Sequence, residues 1–490
     1  MSRPNIVLLM CDQLRADALG CYGNPFVATP VIDTLAARGS QFESAYTPSP
    51  VCVPARQSLI TGKEPTTTGC FDNGFPYCLT TPTMMGTLTA GGYRTHGVGK
   101  MHFPDPPDNM MGFQTRDIGE EFGGADVDDY RRFLEDVGYG YVTRPHGLRE
   151  EMYYVPQLSP VPERLHFSHW VADKSIEFLQ NRDHDDPYFL WASFIAPHPP
   201  FAPPEPWHRI YPPMLMPDPH TPVGGQGLLT IHNEHQNRYK LRDGGSDRRL
   251  NQLMASYYFG SISFVDAQIG RILDAIDEAG DRDNTLVVLT ADHGEFLGDY
   301  GCYGKRSFLD VAARVPLIAA GPGFCQEKRQ DVASLIDIAP SILRAAGVAG
   351  DAEFDGLALQ EVLERDAIFG QFQQGNLALY LACTRDWKYI YSVYDQKEYL
   401  LDRVRDPRET RNLAYNPYRR DVLLDMRAIA VGHFDELAAC DMDALANNRV
   451  DELGRSSDGE FLKSLDVDED ADALIFTRAQ RDAPGGYRMR

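Results

Sequence analysis

Between Asn5 and Ala319 the sequence alternates short apolar runs with stretches whose apolar residues recur at three- and four-residue spacing. The runs Asn5 to Met10, Tyr188 to Ile195, Thr285 to Thr290 and Val315 to Ala319 read as strands, the first of them buried. Residues 30–38, opened by Pro30, and residues 56–61, 166–180 and 251–279 read as helices. The last carries Val265, Ile269, Ile272, Leu273 and Ile276 and stops at Gly280. That alternation restricts the chain to an α/β fold, with a mostly parallel central sheet sandwiched by helices. Residues 199–250, rich in Pro, His, Gly and Asn, read as a long surface excursion beside the site. Near residue 370 the pattern changes. Trp387 to Tyr391 and Lys397 to Leu401 predict paired antiparallel strands, and 418–437 predicts a helix. The chain is therefore divided into a large α/β domain over 1–370 and a smaller C-terminal antiparallel-sheet subdomain over 371–490.

At 490 residues the chain can bury a sizeable core without staples. Its 47 Lys and Arg against 70 Asp and Glu give a net charge of −23. Such a surface repels nucleic acid and anionic membrane, and both are excluded as partners. A small anionic substrate remains open if the pocket itself is basic. The nine cysteines, at 11, 21, 52, 70, 78, 302, 325, 383 and 440, are scattered and form no CxxC pair. They predict reduced thiols and a cytoplasmic setting. The N-terminal apolar run is too short for a signal-peptide core, and no run approaches the roughly 18 apolar residues of a membrane span. The polar tail after residue 450 contains Phe461, Leu462, Leu465, Leu474, Ile475 and Phe476. Apolar residues in such a tail predict docking on another subunit, hence a homodimer or homotetramer.

In an open α/β sheet, function collects just past the carboxyl ends of the strands. Asp12 and Gln13 follow the first strand, and Asp292 and His293 follow Leu286 to Thr290. Two carboxylates, an amide and an imidazole can converge on one hard or borderline cation. Each carboxylate taken alone reads as a helix cap. His166 and His169, at i and i+3, read as helix-surface residues.

Cys52-Val53-Pro54-Ala55-Arg56, followed by Gln57 to Gly62, resembles the sulfatase signature Cys-x-Pro-x-Arg, in which the cysteine is oxidised to formylglycine. Other stations of that family arrive in order. Asn5 to Gln13 resembles its first strand and metal-binding aspartate, and Thr29 to Ala36 the segment before the signature. Gly91 to Thr95 through Gly99-Lys100-Met101-His102 resembles its second signature. Ala196 to Pro200, Thr290 to Glu295, Gly304-Lys305, Arg314 to Leu317 and the stretch from Leu401 to Leu413 match further stations. The resemblance covers about residues 4–415.

It implies an alkaline phosphatase-like fold and hydrolysis of sulfate monoesters to alcohol and inorganic sulfate. The nucleophile would be a formylglycine hydrate made from Cys52 by a formylglycine-generating enzyme. One hydroxyl of that hydrate attacks sulfur and the other later expels the product, so one hard displacement becomes two easier ones. Asp12, Gln13, Cys52, Asp292 and His293 would hold one divalent metal ion. Gln13 and His293 resemble the set in choline sulfatase and phosphonate monoester hydrolase-type members. The ion is Ca²⁺ or Mn²⁺, with Zn²⁺ and Fe²⁺ also open, since imidazole suits the latter three better than calcium. Arg56 would hold the aldehyde hydrate. Lys100, His198 and Lys305 would grip the sulfate oxygens, and Asn73 would contact substrate. His102 is the candidate base for the second step, and His198 or Lys305 the acid for the leaving oxygen. The substrate would be a small anionic sulfate ester. Phosphonate monoester or phosphodiester hydrolysis at the same site is the alternative, against which the Lys100–His102 pair speaks. A silent member that only binds metal is disfavoured, because no expected catalytic position is missing.

Overall fold

The computed structural model describes residues 3–121, 123–182, 186–348 and 353–438. The large sheet is built from β1 (Asn5–Asp12), β2 (Ser40–Tyr46), β3 (Arg94–Gly99), β4 (Thr115–Ile118), β5 (Tyr188–Pro197), β6 (Thr285–Ala291), β7 (Arg314–Val315), β8 (Leu317–Ala320) and β9 (Glu327–Ser334). Its order is β4-β3-β5-β1-β6-β8-β2-β7, with β9 beside β2. β1 lies at the middle, parallel to β5 and β6, and every residue in it is buried. That explains why its sequence is a continuous apolar run rather than an alternating one.

Helices cover both faces. Phe167–Asn181, Arg248–Glu278 and Pro30–Arg38 pack together on one side, and Cys52–Thr61, Met84–Ala90 and Ile338–Ala346 on the other. The sheet is mostly parallel, as the alternation predicts, but β8 runs antiparallel to both β6 and β2. The single strand expected over Val315 to Ala319 is broken at Pro316, which has no N–H to give a ladder; its carbonyl instead accepts the Thr290 hydroxyl at 2.9 Å. The Cys52–Thr61 helix begins four residues before the expected 56, and Gly62, at φ 64°, ends it. His166 caps the Phe167–Asn181 helix rather than riding on it, its Nδ1 accepting the Ser168 N–H at 3.1 Å.

The second sheet is antiparallel, in the order β10 (Ile368–Phe372), β11 (Leu379–Cys383), β12 (Trp387–Ser392) and β13 (Lys397–Asp402). Its first strand straddles residue 370. Alternate residues face opposite ways, as a pleated strand requires. Leu379, Leu381 and Cys383 pack toward Phe308, Leu309 and Ala312 of the large domain. Tyr380 and Ala382 pack under the helix Arg420–His433, against Leu423, Met426 and Ala430. The tail expected at a subunit interface, and Cys440 with it, lie outside the described residues.

One polar knot pins this sheet to the loop that follows Lys305. Lys388 of β12 is fully buried, and its ammonium donates to the Phe308 carbonyl at 2.9 Å, to Glu409 at 2.5 Å and to Asp310. Burial, followed by repulsion from Asp310, raises the Glu409 carboxyl to about 7. Lys388→Met would strand the buried Glu409 and the half-buried Asp310 without their cation. It is expected to lower the unfolding free energy by about 3–5 kcal/mol, read from urea denaturation followed by tryptophan fluorescence.

Candidate active site

Four neighbouring parallel strands, β3, β5, β1 and β6, end at one rim of the large sheet. Just beyond or at those ends stand Lys100, His198, Asp12 with Gln13, and Asp292 with His293. The helix Cys52–Thr61 enters the same rim by its first residue. That helix start has no side-chain cap of its own, and Asn73 supplies one from twenty residues on, accepting the Val53 N–H at 3.0 Å. Asn73 is thus engaged with the backbone of the residue next to Cys52.

Arg56 lies one turn along, with its side chain wholly buried. The sequence reading has it hold the aldehyde hydrate and offset charge. Its N–H groups instead go to Asp292 Oδ2 at 3.0 Å, Asp12 Oδ2 at 3.2 Å, the Lys100 carbonyl at 2.7 Å and Ser193 Oγ at 3.0 Å. It therefore ties all four strands together near this rim. Lys100 adds a second cation to Asp12 at 2.5 Å. Burial alone would raise the Asp12 carboxyl, but Lys100, His198, Lys305 and Arg56 outweigh it and hold that group well below the usual carboxylate range. Asp292, raised by burial and by the neighbouring Asp12, sits at about 6.

The Cys52 sulfur lies 2.8 Å from Lys305 Nζ, 3.3 Å from His293 Nε2 and 4.0 Å from Asp12 Oδ1. Burial, then Asp12, pushes its thiol up. Lys305 is carried by a loop that the chain grips from behind. Gln236 accepts the Lys305 N–H at 3.0 Å and donates to its carbonyl at 2.8 Å. Gly304 is in the left-handed region at φ 96°, where a Cβ would strike the Lys240 ammonium and the Gln236 amide. Gln236 and Lys240 belong to the region expected to be a surface excursion. That expectation is corrected for its middle part: Ile231–Tyr239 is a helix with His232, Asn233, Gln236 and Asn237 buried, because polar side chains are needed there to satisfy the Lys305 loop.

His102 stands beside this group with a strained φ of 53°, its N–H held by Glu120 Oε1 at 3.0 Å. Burial and then Lys100 hold its imidazole well below its ordinary value, which keeps it neutral as a base must be. Among the described residues the polar neighbours of the Cys52 sulfur are Lys305, His293 and Asp12, and His102 makes no hydrogen bond to it.

Sequence reasoning missed three residues. Glu121 lies in a stretch with no periodicity, yet it meets Lys100 at 3.0 Å, His198 at 2.9 Å and Arg149 at 3.2 Å. Arg306, buried next to Lys305, lies 3.8 Å from Asp72. Glu295, quoted in the Thr290–Glu295 station without a role, accepts from the Gln13 amide, from Tyr154 OH at 2.8 Å and from Gly304 N at 2.6 Å. Only the Glu295 position carried a signal, its place in that motif.

The donors also fit a metal ion. Ligand atoms of Asp12, Cys52, Asp292 and His293 all lie within 4.8 Å of one another. The Lys305 ammonium already stands among them, 3.0 Å from His293 Nε2 and 3.2 Å from Gln13 Oε1, so the set accommodates positive charge. Carboxylate, amide and imidazole together suit a hard or borderline divalent ion.

Residues 4–348 match the family model described as Sulfatase, and residues 298–430 match the one described as N-sulphoglucosamine sulphohydrolase, C-terminal. The chain belongs to the sulfatase family of sulfuric ester hydrolases. It is 30% identical over 472 residues to an arylsulfatase of Clostridium perfringens, covering 88% of this chain and 94% of that one. It is also 30% identical over 465 residues to a choline-sulfatase of Rhizobium meliloti, covering 88% and 87%. In three dimensions it resembles the phosphonate monoester hydrolase of Agrobacterium radiobacter, with a TM-score of 0.74, 25% identity, and 88% and 95% of the two chains covered. No helix among the described residues of this sulfatase is long and apolar enough to cross a membrane. Its eight described cysteines are all unpaired.

If the cluster is the metal site, Asp292→Ala should lower both metal content by elemental analysis and melting temperature, because a bound ion stabilises the folded state by mass action. Unchanged metal content counts against the assignment.

Proposed function

We propose that this sulfatase hydrolyses small sulfate monoesters to alcohol and inorganic sulfate, with Cys52 converted to formylglycine by a formylglycine-generating enzyme and one divalent ion held by Asp12, Gln13, Asp292, His293 and residue 52. The observation that carries the reading is the meeting of Lys100, Lys305 and His198 with two metal-type carboxylates around one buried residue-52 side chain. Preorganised cations around a transferring anionic group are usually the largest catalytic contribution. The divalent ion would supply Lewis-acid polarisation of a sulfate oxygen and an acidified hydroxyl at residue 52.

The remaining work falls to the chain. Lys305, 2.8 Å from the residue-52 sulfur, faces the position a sulfate oxygen would take. Lys100 offsets Asp12 and adds positive charge to the same wall. His198 is the acid for the departing alcohol, and neutral His102 takes a proton in the second half of the reaction. Arg56 keeps Asp12 and Asp292 aligned rather than touching the ester. The unpaired cysteines support a reducing, cytoplasmic setting.

A second reading, phosphonate monoester or phosphodiester hydrolysis with the same groups, is favoured by the likeness to the Agrobacterium radiobacter enzyme. The Lys100–His102 pair supports sulfate over it. The discriminating measurement is a side-by-side rate comparison on an aryl sulfate and an aryl phosphonate monoester; a faster phosphonate rate overturns the sulfate reading. Mass spectrometry of the Cys52 peptide should find the aldehyde rather than the thiol. Cys52→Ala is expected to abolish turnover while leaving a folded chain, since it removes the nucleophile and little more than one sulfur's volume of core. More than trace activity in that variant would refute the nucleophile.

A further inference from the structure

Glu121 is a buried carboxylate with no part in the metal cluster and no station in the family resemblance. Its Oε1 lies 2.9 Å from His198 Nδ1 and 3.0 Å from Lys100 Nζ, and its Oε2 lies 3.2 Å from the Arg149 guanidinium. Arg149 in turn rests over the Tyr153 ring at 5.0 Å, and Tyr153 packs beside the His198 ring at 6.3 Å. The carboxylate is thus held from three sides.

His198 Nδ1 donates to the Pro199 carbonyl at 2.6 Å and lies within ion-pair distance of Glu121 Oε1. A carbonyl can only accept, so this ring nitrogen carries the proton. Nε2 is then the only nitrogen of His198 that can exchange a proton with a bound ester. Burial drives this imidazole toward its neutral form, and Lys100 and Lys305 add to that. Glu121 is the strongest neighbour favouring the protonated ring, ahead of Asp12. Asp12 already serves Arg56, Lys100 and the metal-type cluster. Glu121 is therefore the anion left for His198.

We propose that Glu121 is a positioning residue for leaving-group departure: it fixes the His198 ring and serves as its counter-ion while Nε2–H protonates the alcohol. The inference rests on the sulfate-ester reading above. In that step sulfur gains a bond to the residue-52 oxygen as its bond to the ester oxygen breaks. The electron pair stays on the ester oxygen, which takes the Nε2 proton. The imidazole is left neutral with its Nδ1 proton still directed at the Pro199 carbonyl, and Glu121 remains ionised throughout.

The test measures the mature full-length enzyme on two sulfate esters, 4-nitrophenyl sulfate, whose alcohol departs without a proton, and an alkyl sulfate, whose alcohol needs one. Glu121→Gln is expected to slow the alkyl ester about 10²-fold, the lower range for losing acid catalysis, and the nitrophenyl ester less than about threefold. Glu121→Asp, which keeps the charge, should recover part of the alkyl-ester rate. On a His198→Ala background, Glu121→Gln should cost nothing further on the alkyl ester, because two residues acting through one group are not additive. Should Glu121→Gln fail to fold, Glu121→Asp reads the same split between esters, since it withdraws the carboxylate by one methylene. Equal loss on both esters, or a full additive loss on the His198→Ala background, overturns the role of Glu121. A parent enzyme that turns over neither ester overturns the sulfate reading together with it.

Discussion

The arrangement of this molecule turns on one buried guanidinium. Asp12 and Asp292 come from neighbouring parallel strands, and their carboxylates converge in a region closed to water. Two such charges repel strongly in a medium of low dielectric, and burial alone would neutralise one of them. Arg56 prevents this by bonding to both, at 3.2 and 3.0 Å, while its remaining donors hold the Lys100 carbonyl and Ser193. A planar fork with several fixed donors holds both carboxylates and two further acceptors in one rigid geometry. The helix that carries Arg56 also begins at Cys52, four residues back. Placing the arginine against the carboxylates therefore also places the Cys52 side chain beside them.

A second group of buried polar residues fixes the far wall. Glu295 gathers the Gln13 amide, Tyr154 OH and the Gly304 N–H, so the end of β1 and the Lys305 loop are set by one carboxylate. Behind it, Lys240 donates to Tyr154 OH at 3.3 Å and the Tyr303 carbonyl at 3.1 Å. Burial pushes the Lys240 ammonium well below its ordinary value. The small sheet reaches the same loop from the other side through Lys388, which binds the Phe308 carbonyl three residues after Lys305. The C-terminal region thus helps to hold a site residue in place, although among the described residues it contributes none itself. A buried network of this kind is stabilising only when each member is satisfied, which leaves it little freedom to shift.

Charge is distributed unevenly. The chain as a whole carries −23, yet Lys100, Lys305, Arg56 and Arg306 crowd into one buried rim. The overall field opposes an incoming anion at long range, but at physiological ionic strength it fades over about 8 Å. The local cations act inside that distance, in surroundings where they are weakly screened. In the proposed reaction, attraction for the sulfate group comes from the rim and not from the surface.

Much of this was readable from residues alone. β1, β5 and β6 announce themselves because a strand buried on both faces must be apolar throughout. The motif at Cys52 and the residues at strand ends named the cluster, since chemistry in this architecture collects at those ends. The antiparallel course of β8 was not readable, because its apolar run looks the same in either direction and only pairing with β6 and β2 decides it. The buried helix Ile231–Tyr239 was hidden because its polar residues face the Lys305 loop, which no local pattern reveals. Arg56 was identifiable as a site residue, but its partners are 44 and 236 positions away in the chain. Glu121 carried no signal, since an isolated glutamate in a loop reads as solvated until the fold sets Lys100, His198 and Arg149 around it. Local sequence determined the elements and the chemical groups, because propensity and motif act over a few residues. Tertiary structure alone decided which charges face each other, because that depends on distances closed only when remote strands pair.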